Sequence, residues 1–296
     1  MRRPSKKALR SRRIMLLLFL FLTCLILWGV FTLGRHVLRY ARGASIRSVQ
    51  TEQTQQPDGS LPSDPSEDDS GVPKNQYDEN CFFTRNGLMC YDGPEASSLI
   101  GIDVSAHQQQ IDWEAVAACG VQYAVIRIGY RGYTEGAIQL DDCFAQNLQG
   151  AREAGLQIGV YFFSQALDEQ EAREEAAFVL KTLDGQALEL PVFFDWEEID
   201  GEARSDVIDR TTLTLLADAF CQEIESGGYA AGIYFNQKFG YEELNLQSLL
   251  DYSFWLAEYN PTPTFRYGFQ FWQYACDGTI DGITGPVDLN VAFIPK

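Results

Sequence analysis

"LPVFFDWEEID", residues 190–200, joins an apolar run directly to four carboxylates: Asp195, Glu197, Glu198 and Asp200. A continuous apolar run of this length reads as a strand buried on both faces, as in parallel sheets covered by helices. Strand alternation then sorts the acids: Asp195 and Glu197 share one face and Trp196 takes the other. Two residues of strand separate the pair by roughly 6.5 Å along the backbone. Carboxyls that close in acidic surroundings do not both ionise easily, so one keeps a proton near neutral pH. Glu198 and Asp200 fall past the strand and read as solvated rim charges. A lone D-x-E is an ordinary surface triplet, and only its place behind a buried strand makes it informative.

The same pattern recurs along the chain. Strand-like runs are "LIGIDVS" (99–105), "YAVIRIGY" (123–130), "QIGVYFFS" (157–164), "LPVFFDWE" (190–197), "YAAGIYFN" (229–236), "SFWLAEY" (253–259), "FQFWQYA" (269–275) and "VDLNVAF" (287–293). Helical runs 112–120, 141–155, 168–183 and 209–228, with a short one at 245–252, separate the first six strands. Several of them open on Asp and close on Gly, the usual cap chemistry. The order predicts an α/β fold: a short, irregular (β/α) barrel of about eight mostly parallel strands. Reactive groups in such barrels gather at the carboxyl ends of the strands. Those ends carry Asp103, Tyr161 and Ser164, Asp195 and Glu197, Tyr234 and Asn236, Glu258 and Tyr259, and Gln273 and Tyr274, with Asp288 in the last strand. Acids interleaved with aromatics suit a carbohydrate cleft, where carboxyls move protons and rings stack on sugars.

Charge divides the chain. Residues 1–47 hold 11 Lys/Arg and no Asp/Glu, which leaves 12 Lys/Arg against 41 Asp/Glu in the remainder, a formal −29. Phosphate binding needs basic clusters, so nucleic acid is excluded as a partner of the acidic body. The basic tail 1–13 precedes 20 uncharged residues, 14–33, about the thickness of a bilayer core as a helix. A cleavable signal would have a shorter apolar region and a small-x-small site, whereas Arg42 stands where a small residue is wanted. The pattern predicts a retained single-pass membrane helix at 14–34, amino terminus inside and acidic body outside the cell. Residues 35–76 read as a disordered extracellular spacer rich in Ser, Pro, Gln and acid. Residues 77–98 read as a small hairpin turning at Asn86-Gly87. A two-residue turn leaves Cys81 diagonal to Cys90, whereas a four-residue loop sets them opposite for a disulfide. The seven cysteines show no CxxC pair, and with only His36 and His107 a zinc site is not expected.

Six stretches of the body, "GIDVSAHQQQIDW" (101–113), "AREAGLQIGVYFFSQA" (151–166), "LPVFFDWE" (190–197), "GYAAGIYFN" (228–236), "FWLAEY" (254–259) and "FQFWQY…GTIDGITGPVDLN" (269–290), resemble glycoside hydrolase family 25 in order and spacing. That resemblance covers 99–296. It implies a lysozyme-type N-acetylmuramidase that cleaves the β-1,4 bond between N-acetylmuramic acid and N-acetylglucosamine in peptidoglycan, with no metal or cofactor. It implies Glu197 as general acid and base and Asp195 as the stabilising carboxylate, which acts through the substrate's own N-acetyl group in a retaining mechanism. Asp103 and Asp288 match the two further cleft acids. Tyr161, Tyr234, Trp272 and Gln273 match substrate contacts, although alternation sets Trp272 opposite Gln273 and leaves a core position open for it. His107 stands where an aromatic is common, and a structural or subsite role is expected of it.

Two other readings compete. A chitinase-like retaining glycosidase also places acids after its fourth strand, but the longer D-x-x-D-x-D-x-E series is absent, with Leu190 and Phe193 in its place. A non-catalytic wall-binding protein would need no intact acid pair.

Overall fold

The computed structural model describes residues 71–199, 201 and 203–296. The expected tail 1–13, the membrane helix 14–34 and the spacer up to residue 70 lie outside the described residues. Among the described residues no helix is long and apolar enough to cross a membrane.

A hairpin comes first: β1 (Phe82–Arg85) pairs with β2 (Leu88–Tyr91). Asn86 and Gly87 both adopt positive φ, 53° and 82°, which the tight two-residue turn requires. Phe83 therefore faces Cys90 across the ladder, Cys81 is left diagonal, and both cysteines are free thiols. The barrel follows as β3 (Ala96–Val104), α1 (Trp113–Ala118), β4 (Tyr123–Arg131), β5 (Ile138–Leu140), α2 (Phe144–Glu153), β6 (Gln157–Ser164), α3 (Glu169–Leu183), β7 (Val192–Trp196), α4 (Arg210–Ser226), β8 (Ala231–Asn236), β9 (Ser253–Ala257), β10 (Phe271–Gly278) and β11 (Val287–Pro295). Asp112, Asp168 and Asp209 cap α1, α3 and α4, their carboxylates accepting from the backbone N–H of Ala115, Glu171 and Thr212. Each such cap contributes about 1 kcal/mol.

Strands run in parallel from β3 through β4, β6, β7, β8 and β9 to β10. β11 then runs against both β10 and β3 and closes the ring, while β5 adds an antiparallel edge to β4. The barrel is thus mixed, a correction to the mostly parallel one expected from the sequence. The cause is connection length. A parallel return needs a dozen or more residues, and only 279–286 link β10 to β11.

Among the described residues no α-helix follows α4, so the outer faces of β10 and β11 need other cover. The amino-terminal segment supplies it. Tyr77 stacks on Phe293 with ring centroids 3.7 Å apart and donates its hydroxyl to the Phe269 carbonyl at 2.7 Å. Phe82 sets its edge against Trp272 at 5.5 Å, and Tyr91 packs on Phe293 at 5.4 Å. Residues 73–75, read from the sequence as spacer, are ordered here: Asn75 N–H donates to the Arg266 carbonyl and Gly268 N–H to that of Pro73, both at 2.8 Å.

Inside the ring a second apolar cluster forms from Tyr123, Val125, Phe193, Trp255, Phe271 and Ala292. Gly101 leaves room for the Tyr123 ring, since a Cβ there would stand 2.1 Å from it. The hairpin and its leading tyrosine are therefore part of the core. Tyr77→Ala should lower unfolding stability by about 3 kcal/mol, the low end for loss of a packed aromatic, read from urea denaturation of the full chain.

Candidate active site

The inward faces of the strands change character along their length. Around the inner apolar cluster, β4 proceeds from Tyr123 and Val125 to Arg127, β7 from Phe193 to Asp195, and β10 from Phe271 to Gln273. β11 runs the other way, so its polar end is its beginning, and Asp288 stands directly across the ladder from Asp103 of β3. All these polar ends meet at one mouth.

A chain of hydrogen bonds holds the floor of that mouth. Trp255 Nε1 donates to Asn290 Oδ1 at 2.8 Å, and Asn290 Nδ2 donates to Asp103 Oδ2 at 2.7 Å. Gln273 Nε2 donates to the same Asp103 oxygen at 2.9 Å. Gln273 Oε1 accepts from the hydroxyls of Tyr234 at 3.0 Å and Tyr259 at 2.9 Å. Neutral amides thus satisfy a buried carboxylate without bringing positive charge into the site.

Four acids share this space. Burial raises Asp103 to about 6, against hydrogen bonds from Gln273, Asn290 and Asp288. Burial, then the charges of Asp103 and Glu197, raise Asp288 to about 9, so it is protonated and donates to Asp103. Asp195 is pushed well above the usual carboxylate range by burial and then by Glu197 and Asp103, with the Arg127 guanidinium pulling the other way. Its Oδ1 is buried and has no hydrogen-bond partner among the described residues. Glu197, one residue beyond β7, is also raised by burial and by Asp103, against a hydrogen bond with Tyr234. Glu198 pairs with Lys238 at 3.1 Å on the exposed rim, as its place past the strand implied. Asp200 lies outside the described residues.

Tyr161 lies beside the inner cluster, its ring edge-on to Trp255 at 6.1 Å, and Tyr234 packs on the same indole at 4.8 Å. Trp272, expected as a substrate contact, is corrected: it is fully buried on the opposite face and donates Nε1 to the Glu258 carbonyl at 2.8 Å. Three other strand-end residues serve structure. Ser164 donates to Glu175 Oε2 at 2.6 Å, Asn236 Oδ1 accepts from Phe239 N–H at 3.0 Å, and Glu258 staples the backbone at Thr264 and Phe265. His107 lies exposed at the rim, and desolvation of its ring, then Arg127, shift it down, which favours its neutral form.

One residue of the mouth, Arg127, was passed over in the sequence. Arg127 is held by Asp141, whose Oδ2 accepts from Nε at 2.8 Å while the same carboxylate accepts from Ala106 and Cys143 N–H. Its place two residues after Val125 on the inward face was the available signal. Tyr259 keeps 54% of its surface exposed while its hydroxyl is fixed on Gln273, a braced ring at the rim. Among the described residues no group of three or more His, Cys, Asp and Glu is arranged to hold a metal ion.

A barrel whose mouth gathers buried carboxyls beside anchored tyrosines has the groups that acid–base hydrolysis of a glycoside uses. The sequence agrees: residues 102–283 match the model of glycosyl hydrolases family 25, and the chain belongs to that family. Among its relatives, an autolytic lysozyme from Clostridium acetobutylicum is 28% identical over 191 residues, which span 64% of this chain and 54% of the relative. Lysozyme M1 from Streptomyces globisporus is 27% identical over 213 residues, spanning 67% and 69%. In fold, the chain resembles the modular autolysin LytC from Streptococcus pneumoniae, with a TM-score of 0.59 at 23% identity, over 72% of this chain and 52% of that one.

Asp288 also carries a pH signature. It keeps its proton up to about 9 when folded and releases it near 3.8 when unfolded. The folded state thus binds the extra proton between those values, and stability falls as pH rises through them. Asp288→Asn removes this titration, so its urea midpoint should fall less than the parent's between about pH 5 and 9. An identical pH dependence in both would contradict the assignment.

Proposed function

We propose that the chain is a membrane-anchored, outward-facing lysozyme-type muramidase that hydrolyses the β-1,4 bond between N-acetylmuramic acid and N-acetylglucosamine in peptidoglycan. The observation that carries this reading is the pair at the end of β7: Asp195, buried with one carboxyl oxygen unpartnered, and Glu197 beside it with a raised pKa. Family membership and the lysozyme relatives support the substrate class. The apolar run 14–33, with seven positive charges before it, supports the anchor.

The family resemblance gives the roles, with Asp195 as the stabilising carboxylate and Glu197 as the proton donor; the Arg127 guanidinium favours the ionised form of Asp195, against burial and the charge of Glu197, which raise it. Glu197 gives that proton to the glycosidic oxygen as the C1–O bond breaks. The carbonyl oxygen of the substrate's N-acetyl group closes on C1 from the opposite face, and the open Asp195 Oδ1 accepts a hydrogen bond from its N–H. Glu197, now ionised, takes a proton from water as the water oxygen bonds to C1 and reopens the ring. Configuration at C1 is retained. Tyr161, Tyr234 and Gln273 line the mouth as substrate contacts, and Asp103 with Asp288 shapes its floor.

Purified peptidoglycan treated with the full chain should yield reducing ends on N-acetylmuramic acid, identified by mass spectrometry of the products. Glu197→Gln should lower that rate by about 10²–10⁴-fold, the range for loss of a general acid. Undiminished release would sink the mechanism, and faster cleavage of chitin than of peptidoglycan would favour the chitinase-like alternative.

Arg127→Gln withdraws the positive charge that favours ionised Asp195. The acidic limb of the rate profile, set by Asp195 losing its proton, should then move to higher pH. A limb that stays in place would remove Arg127 from the scheme.

A further inference from the structure

Gln165, directly after β6, is completely buried, and every polar group of its side chain and its carbonyl is engaged. Its side-chain amide joins the two ends of the loop that follows β7. Nε2 donates to the backbone carbonyl of Glu197 at 3.1 Å, and Oε1 accepts from the Ser205 hydroxyl. A carbonyl can only accept, so the amide nitrogen must face Glu197 and the oxygen must face Ser205. The backbone carbonyl of Gln165 accepts from Arg204 Nη1 at 3.2 Å, and Arg204 grips Glu171 through two bonds of 2.8 and 2.6 Å. Arg204 N–H in turn donates to the Tyr133 carbonyl at 3.0 Å. The far end of the loop is therefore tied to α3 and to the β4–β5 turn, and the near end to the same glutamine.

Glu197 needs such a hold. The β6–β7 ladder ends at Ser164 and Trp196, and the β7–β8 ladder ends at Asp195 and Tyr234. No strand pairing reaches Glu197. Asp103 of β3, Asp195 of β7 and Asp288 of β11 repel its negative form, and Tyr234 of β8 is its hydrogen-bonding neighbour. An unanchored side chain here would turn toward water.

We propose that Gln165 is a positioning residue that holds Glu197 in its productive place by gripping the Glu197 backbone carbonyl, with Ser205 fixing the orientation of the gripping amide. This rests on the reading of Glu197 as the general acid. A misplacement of about 1 Å remote from the chemistry can cost on the order of 10²-fold in rate.

The test uses the full chain on purified peptidoglycan. Gln165→Leu keeps the volume and removes both bonds. It should lower kcat by about 10–100-fold while KM stays within about twofold. The alkaline limb of kcat against pH, where Glu197 loses its proton, should move to lower pH as the carboxyl gains access to water. Ser205→Ala, which frees only the amide, should act in the same direction to a smaller extent, and it serves where Gln165→Leu fails to fold. Unchanged kcat and an unmoved limb overturn the proposal. So does a loss of kcat with an unmoved limb and a lowered melting temperature, the mark of a merely structural part. Glu197→Gln assayed in parallel separates the two levels. If it stays active the acid is misassigned; if it is inactive while Gln165→Leu is normal, only the positioning role is wrong.

Discussion

The register between β3 and β11 is the constraint on which the rest depends. Their pairing runs from Asp103 opposite Asp288 down to Ala96 opposite Pro295, and it closes the ring. A slip of one residue would turn Asp288 and Asn290 outward and bring Val287 and Leu289 into the mouth, because strand side chains alternate. With Asn290 gone, Asp103 would lose one of its two amide donors and Trp255 its acceptor. The acid pair on β7 would then face a floor of aliphatic side chains. One antiparallel ladder thus fixes both the closure of the barrel and the charge balance of its mouth.

That balance is unusual in its ingredients. Asp103, Asp195, Asp288 and Glu197 lie within mutual electrostatic reach. The relief comes from a proton shared between Asp288 and Asp103, from neutral amides, and from the guanidinium of Arg127. A larger positive counter-charge would stabilise all four in their ionised forms and remove the acid that the chemistry needs. Arg127 avoids this because Asp141, itself wholly buried, claims part of its charge.

Much of this was readable beforehand. Apolar runs located the strands because burial on both faces suppresses polar residues, and Asp112, Asp168 and Asp209 marked true helix starts because caps are local chemistry. Alternation separated Asp195 from Trp196, and the same rule placed Trp272 in the wall opposite Gln273. Strand direction was not readable from hydrophobicity, which is the same for either sense, although the short link 279–286 held the clue. Arg127 and Gln165 were hidden for a different reason. Each is a single polar residue in or beside an apolar run, and its importance comes from partners distant in sequence: Asp195 for the one, Glu197 and Ser205 for the other.

The ordered segment from Gly71 to Tyr77 has one more consequence. A Cβ on Gly71 would meet the Gln247 side chain, Lys74 bridges to Tyr267, and Tyr77 lies on Phe293, all around the strand ends remote from the acids. The chain therefore enters the barrel at its base. In mechanical terms, a load applied through residue 71 passes first into the loops before β9 and β10 and the aromatic stack on β11. The mouth, at the other pole, carries none of it directly, so the enzyme can be pulled by its foot while its jaw keeps its shape.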